Sequence, residues 1–413
     1  MALRSLAATV AAAVSLACVS PGGPGGGDLT TERVDPVVLV PGEASNPGAV
    51  RLAAVFPTMD RYAVSGLQSL NGVRLAVDEI NREGGIHGRL LELREFRTGS
   101  YFVDAQHAAG LAVADGALAI VGANSSELSM AIAERAEARG VVQVSNVSTA
   151  QDLTWEPESG RNRDFVFRVC SSDVVMGALL AEYAVEDLNA HRAAVLYEVG
   201  REYSKKLARS FIDRFEETSG QAPREFFYLA LETDFRPQLR LIAEYRPEVV
   251  FVPGSFTDAT LIAAQATELG LAATFLGGDG WSNPLLFRRG GPPGEAYFTE
   301  LCSPSAEFEQ RYQAVFGTAT QGCRAILGYD ALQVVAAGLR SLGSLPDEAL
   351  GEGLVDTRRA LRDAVAVAEV EGASGVIRFD DHGDRRQGVA LSAVERGPDG
   401  RSIALVRGWL GEP

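Results

Sequence analysis

The chain has 413 residues, 46% of them hydrophobic and 22% charged, which excludes disordered, collagenous and small disulfide-framework classes and predicts two or three domains. Its formal net charge is −16 and no Lys/Arg-rich stretch occurs. The basic footprint that nucleic-acid binding needs is therefore missing, and DNA and RNA are excluded as partners.

In chain order, the first predicted element is a leader. Arg4 precedes an apolar run, Leu6–Ala17, that is too short for the roughly 30 Å of hydrocarbon in a bilayer and fits a signal peptide over residues 1–17. Ser15-Leu16-Ala17-Cys18 resembles the lipobox of bacterial lipoproteins, with Ser15 where those proteins usually have Leu. Lipidation of Cys18 is the expectation and simple secretion the alternative. Pro21–Gly27 reads PGGPGGG, and little periodic pattern follows, so residues 18–50 are expected to form a flexible tether.

From Arg51 onward the rhythm is strand, helix, strand. Strands are predicted at Arg51–Phe56, Leu90–Phe96, Ala117–Val121 and Val141–Ser145, with helices at Gly66–Asn81 (Ser65 as N-cap), Asp104–Ala114 and Ser126–Arg139. After Arg168 the rhythm restarts. Helices are expected at Met176–Asp187, Ser204–Thr218, Arg236–Tyr245 and Ala259–Leu269, and strands at Ala193–Tyr197, Glu225–Leu229, Val249–Pro253 and Thr274–Leu276. Two more helices, Ala306–Phe316 and Tyr329–Leu342, precede a β-like tail over Val376–Trp409. This alternation predicts an α/β protein with two doubly wound parallel-sheet lobes.

Little in the chain suggests catalysis. Gly84-Gly85-Ile86-His87-Gly88 follows a helix rather than preceding one, which makes it a helix stop and turn instead of a phosphate loop. No GxGxxG, Walker or GxSxG sequence occurs, and the four histidines are isolated. Asp380-Asp381-His382-Gly383-Asp384 reads as a solvated turn, so no metal and no cofactor are expected. After Cys18 three cysteines remain. Cys302 with Cys323 is the pair taken for a disulfide, the alternative being two buried small apolar side chains.

Hydroxyl groups instead collect where strands run into helices, the end of an open α/β sheet that takes ligands. Ser125 and Ser126 open a helix. Asn124 and Glu127 would make a capping box there, or the free amides and hydroxyls would await a carboxylate. Ser145–Thr149 leaves the next strand beside them. In the second lobe Tyr203 stands at a helix start, and Gly277-Gly278-Asp279-Gly280-Trp281 leaves a strand with Asp279 able to take a cation. An anion site facing an acid suits a zwitterion such as an α-amino acid.

These segments together resemble the periplasmic branched-chain amino-acid binding proteins, the type I solute-binding proteins of ABC importers. The strongest match is Gly72–Arg89, GVRLAVDEINREGGIHGR. It continues through IVGANSS (Ile120–Ser126), VSNVSTAQDLT (Val144–Thr154), EYSKKLARSF (Glu202–Phe211), VVFVPGSFTDA (Val249–Ala259), LGGDGW (Leu276–Trp281), GYDAL (Gly328–Leu332) and GVIRFDDHGD (Gly375–Asp384). The resemblance implies that the ligand carboxylate is held by Ser126, Thr149 and the main chain at Val147, and the ammonium by Asp279, with Tyr203 as the second-lobe aromatic. Two pocket positions where relatives commonly have Tyr hold Ser65, one turn after Tyr62, and Ser255, followed by Phe256. Ser125 replaces the family's first-lobe cystine, and Trp281 is read either as a pocket wall or as inter-lobe packing.

The resemblance further implies three crossings between lobes, near Arg168–Ser172, Tyr297–Ser303 and Ser374–Phe379, forming a hinge. Lobe 1 is then 51–170 plus 300–375, and lobe 2 is 171–299 plus 376–413. The expected protein is a monomeric, exported binding protein of the periplasm or cell envelope that carries a lipid anchor and hands a small amino acid to an ABC permease. A sensing or partner-binding envelope lipoprotein of the same fold is the alternative.

Overall fold

Short β-branched and apolar runs separated by amphipathic stretches fold here into two sheets. The computed structural model describes residues 37–40, 48–283, 286, 291–303, 305–345, 352–396 and 402–411, and residues 36–413 form one compact unit. The expected signal peptide, Cys18 and most of the expected tether lie outside the described residues.

The first lobe runs β1 (Val37–Val40), β2 (Val50–Pro57), α1 (Ala63–Arg82), β3 (Leu91–Thr98), α2 (Phe102–Ala114), β4 (Ala119–Gly122), α3 (Ser126–Arg139) and β5 (Val142–Ser145). A two-stranded hairpin, β6 (Trp155–Glu156) with β7 (Arg161–Asn162), precedes β8 (Val166–Arg168). The strands order as β1-β3-β2-β4-β5-β8, parallel except for β1, which pairs antiparallel with β3. Part of the expected tether is thus a strand, since a run of three valines and a leucine suits a sheet edge. Leu52, Ala53, Ala54 and Val55 are all buried because helices cover both faces of a parallel sheet.

The second lobe continues with α4 (Asp173–Glu186), β9 (Ala193–Glu198), α5 (Glu202–Ser219), β10 (Arg224–Tyr228), α6 (Arg236–Tyr245), β11 (Val249–Val252), α7 (Phe256–Glu268), β12 (Thr274–Gly277) and β13 (Ala296–Glu300). The chain then returns to the first lobe as α8 (Ala306–Phe316), α9 (Arg324–Ser341) and α10 (Glu352–Ala366), where α8 and α9 pack on α1. A hairpin of β14 (Val370–Gly372) and β15 (Gly375–Ile377) leads back to β16 (Val389–Arg396) and β17 (Ser402–Leu410). The second sheet orders as β10-β9-β11-β12-β13-β16-β17, its last two strands antiparallel. The chain therefore passes between the sheets after β8, after β13 and after β15.

Several boundaries differ from the sequence reading. α1 starts at Ala63 with Tyr62 as N-cap, and the Ser65 hydroxyl donates to the Tyr62 carbonyl (3.0 Å) from inside the first turn. The sequence reading leaves out α10, whose apolar face of Leu354, Leu361 and Val365 is interrupted by Arg358; that guanidinium donates to the Ala117 carbonyl at 2.6 Å. α9 begins five residues before the expected Tyr329, at Arg324, and the β-like tail resolves into separate hairpins. Close α1–α9 packing depends on two glycines. A Cβ at Gly72 would collide with the Ala325 carbonyl, and one at Gly328 with the Ser69 carbonyl.

Candidate functional site

Each sheet reverses its winding direction once, between β2 and β4 in the first and between β9 and β11 in the second. The crevice outside the carboxyl ends of the strands at such points is where open α/β sheets take ligands. A cleft with about 810 Å³ of empty volume lies there. Tyr62, Ser65, Asn124, Ser125, Ser126, Glu127, Val147 and Thr149 line it from the first lobe, and Arg201, Tyr203, Asp279, Gly280 and Ser282 from the second. Leu301, Cys323 and Arg324 line it from the returning segment.

The first-lobe wall gathers amides and hydroxyls at the start of α3. Ser125 is the N-cap of α3 in extended conformation (φ −146°, ψ 149°) and makes no side-chain capping bond, so the capping box read from Asn124 and Glu127 does not form. Asn124 instead donates Nδ2 to the Ser65 hydroxyl at 2.9 Å. Ser125 Oγ and Asn124 Oδ1 stay buried with no hydrogen-bond partner among the described residues. The first amides of α3 carry the positive end of the helix dipole, as an anion requires. Ser126 Oγ accepts from the Ala150 amide (3.4 Å), and the Thr149 carbonyl accepts from the Asp173 amide (2.7 Å). Beneath this wall Ser129 Oγ holds the Ala123 amide (2.9 Å), Ser145 Oγ (3.2 Å) and Ser148 Oγ (2.6 Å), which fixes the loop carrying Val147 and Thr149.

The opposite wall carries the acid. Asp279 opens a 3-10 turn, Asp279–Trp281, directly after β12. The Tyr203 hydroxyl, from the first turn of α5, donates to Asp279 Oδ1 (2.9 Å) and accepts from the Gly280 amide (3.0 Å). Only glycine fits at 280, because a Cβ there would lie 2.6 Å from the Gly254 carbonyl oxygen. Burial raises the Asp279 carboxyl above its ordinary value, opposed by the Tyr203 hydrogen bond and the Arg324 charge. Burial, reinforced by Asp279, pushes the Tyr203 phenol well above its own.

The cleft also holds two arginines that the sequence reading does not single out. Arg324, the first residue of α9, donates Nη1 to the Ser282 and Gln321 carbonyls (both 3.3 Å), and burial pulls its guanidinium below the ordinary value. Arg201, the N-cap residue of α5, lies 5.9 Å from the Tyr203 ring centroid and 3.9 Å from Glu198. A lone arginine beside a helix start has no periodic signature. Cys323 forms a disulfide with Cys302 (Cα–Cα 5.8 Å) and is the N-cap residue of α9, so the bridge ties the segment after β13 to the Arg324 position. Cys170 is a buried free thiol.

Three expected pocket residues do not line the cleft. Ser255 caps α7 in a capping box with Asp258, and Phe256 packs on the second-lobe core. Trp281 is buried in that core and donates Nε1 to the Val252 carbonyl at 3.0 Å, because the 3-10 turn that presents Asp279 sends the indole back under β11. Asp384, read as part of a solvated turn, is the ion-pair partner of the buried Arg168. Among the described residues no group of His, Cys, Asp and Glu is placed to hold a metal, and no helix is long and apolar enough to cross a membrane.

Two doubly wound lobes with a cleft between them, lined by the α3 N-terminus on one side and the partly buried Asp279 on the other, define a binding protein that captures small ligands. The chain belongs to the Periplasmic binding protein family, whose model matches residues 49–398. It is 28% identical to the Leu/Ile/Val-binding protein BraC3 of Rhizobium johnstonii over 345 residues, 81% of this chain and 88% of that one. It is 24% identical to Leu/Ile/Val-binding protein homolog 3 of Brucella melitensis over 339 residues, again 81% and 88% of the two chains. The crystal structure of the leucine binding protein LivK from Thermotoga maritima superposes with a TM-score of 0.74 at 28% identity, covering 87% of this chain and 98% of that one.

Proposed function

We propose that the cleft captures an α-amino acid or related zwitterion outside the cytoplasm and delivers it to an ABC permease. The observation that carries this reading is the pairing across the cleft of the α3 N-terminus, with Ser126, Thr149 and the Val147 main chain for the carboxylate, and Asp279, held by Tyr203, for the ammonium. Relatives named as Leu/Ile/Val-binding proteins support it. On this reading the bodies that close on the ligand are 51–170 plus 300–375 and 171–299 plus 376–413, turning about the three crossings. Export through residues 1–17, a lipid anchor at Cys18 and action as a monomer complete the proposal.

The test is a thermal-shift screen of amino acids, followed by small-angle scattering. A native-state ligand raises the melting temperature by mass action, and closure reduces the radius of gyration. An unchanged radius at saturation favours a rigid partner-binding module. Mass spectrometry of protein made with its own leader, showing an unmodified Cys18, rejects the anchor.

A further inference from the structure

The guanidinium of Arg324 is more than a single ligand carboxylate needs. The α3 N-terminus and its hydroxyls already serve an α-carboxylate, and Asp279 an α-ammonium. Arg324 stands at the first position of α9, the positive end of a helix dipole, where a cation is disfavoured unless an anion accompanies it. The described residues supply no such anion at ion-pair distance. Asp279 lends its Oδ1 to Tyr203, and both oxygens of Glu300, the other acid that acts on Arg324, are engaged, Oε1 by Ser392 (2.8 Å) and Oε2 by Ser282 (3.1 Å).

Arginine makes its strongest bonds to carboxylate through two parallel N–H groups. This protein does so elsewhere with the Nε–Nη2 edge: Arg168 meets Asp384 and Arg74 meets Glu95 in that way, with all four distances at 2.7 Å. Arg324 uses only Nη1, on two long carbonyl contacts, and its Nε–Nη2 edge has no partner among the described residues. Arg201 adds a second cation to the same cleft. Around them Ser125 Oγ and Asn124 Oδ1 lack partners, and a branched aliphatic side chain would leave all of these groups desolvated and unpaired.

We propose that the cleft reads a second acid group, so that its ligand is an acidic α-amino acid whose side-chain carboxylate docks on the Nε–Nη2 edge of Arg324. The proposal rests on the amino-acid reading above and narrows it. The probes are L-glutamate and L-aspartate, their amides L-glutamine and L-asparagine, and L-leucine, titrated calorimetrically into the purified full chain. One of the acids should bind roughly 30-fold or more tighter than its amide. Arg324→Met should erase that ratio, and Arg324→Lys, which keeps the charge but not the two-pronged edge, should retain part of it. If leucine or an amide binds as tightly as the acids and Asp279→Asn abolishes that binding, the second-acid proposal is overturned and amino-acid capture stands. An acid-to-amide ratio that survives in Arg324→Met also overturns it. If none of the five binds while another amino acid raises the melting temperature in the wider screen, the second-acid proposal is overturned and amino-acid capture stands; if no amino acid does, both readings fall.

Discussion

Arg168 and Asp384, 216 positions apart, form a two-pronged ion pair in which Nε and Nη2 each meet a carboxylate oxygen at 2.7 Å. The arginine side chain is fully buried, and its Nη1 also donates to the carbonyls of Ser148 (3.3 Å) and Ala150 (2.8 Å). One guanidinium thus ties the end of β8, where the chain leaves the first lobe, to the turn before β16 and to the loop that carries Thr149. Asp384 additionally accepts the Thr154 hydroxyl at 2.7 Å.

Removing one partner of a buried pair leaves the other charge uncompensated, which costs about 3–5 kcal/mol. Arg168→Met should cost that much in urea denaturation. The double variant Arg168→Met with Asp384→Leu should recover a large part, because the coupled loss is not additive. A single-variant loss below about 1 kcal/mol would place the pair among exposed ion pairs instead.

How far the sequence could be read follows the same division between local and distant causes. The lobes, and the place of the switch-point hydroxyls and Asp279 along the cleft, are legible because strand and helix periods, glycine turns and residues at strand ends are local signals. Arg324 was not, since its importance comes from α9 crossing back over α1 at Gly72 and Gly328, a contact between segments about 250 residues apart. Trp281 lies in the second-lobe core, neither on the pocket wall nor between the lobes, because nothing local decides which side of the turn Asp279–Trp281 the indole takes. Asp384 looked solvated for want of any local sign of Arg168. Ser255 and Asn124 show the limit of capping patterns. Ser255 with Asp258 forms the box, whereas Asn124 with Glu127 does not, because Asn124 is drawn to Ser65 on another helix.

Asp173, at the start of α4 behind Thr149, gives the protein a pH dependence. Burial raises its carboxyl from 3.8 to about 7, with the Thr149 hydroxyl, Arg168 and Lys206 pulling it down in part and Asp279 pushing it further up. A folded-state value above the unfolded one means that the native state holds the proton more tightly, so the contribution of Asp173 to stability is lost as pH rises from about 4 to about 7 and does not change beyond. Asp279 and Glu300 are also raised by burial and act with the same sign. Asp173→Asn should therefore flatten, without abolishing, the decline in melting temperature of the ligand-free protein, and should stabilise it at pH 8 by on the order of 1–4 kcal/mol. Parallel melting curves for the two proteins would remove Asp173 from the titrating groups.

The Cys302–Cys323 bridge closes a loop with a sequence separation of 21. In the chain-entropy account a loop of that size contributes roughly 3 kcal/mol. Cys302→Ser with Cys323→Ser should lower stability by about that amount, and, because Cys323 caps α9 beside Arg324, should weaken ligand binding as well. Loss of stability with unchanged affinity would show that α9 holds Arg324 without the bridge.

Charge assignment within the cleft makes the sharpest demand on the amino-acid reading. Asp279 is partly buried and already accepts from Tyr203 at 2.9 Å, so its neutral isostere keeps the shape of the site and loses only the charge. An ammonium desolvated in the cleft without its counter-charge costs on the order of 2–5 kcal/mol, or roughly 30-fold to several thousand-fold in affinity. Asp279→Asn should show that loss in calorimetry and Asp279→Ala slightly more. Ser126→Ala deletes one hydrogen bond to a charged carboxylate and should cost about 1.5–3 kcal/mol. Acetylating the nitrogen of the bound amino acid removes the same charge from the other side and should abolish binding in the parent. Asp279→Asn binding as tightly as the parent would refute the ammonium assignment, and the cleft would then belong to a ligand that meets Arg324 and the α3 N-terminus with anionic groups alone.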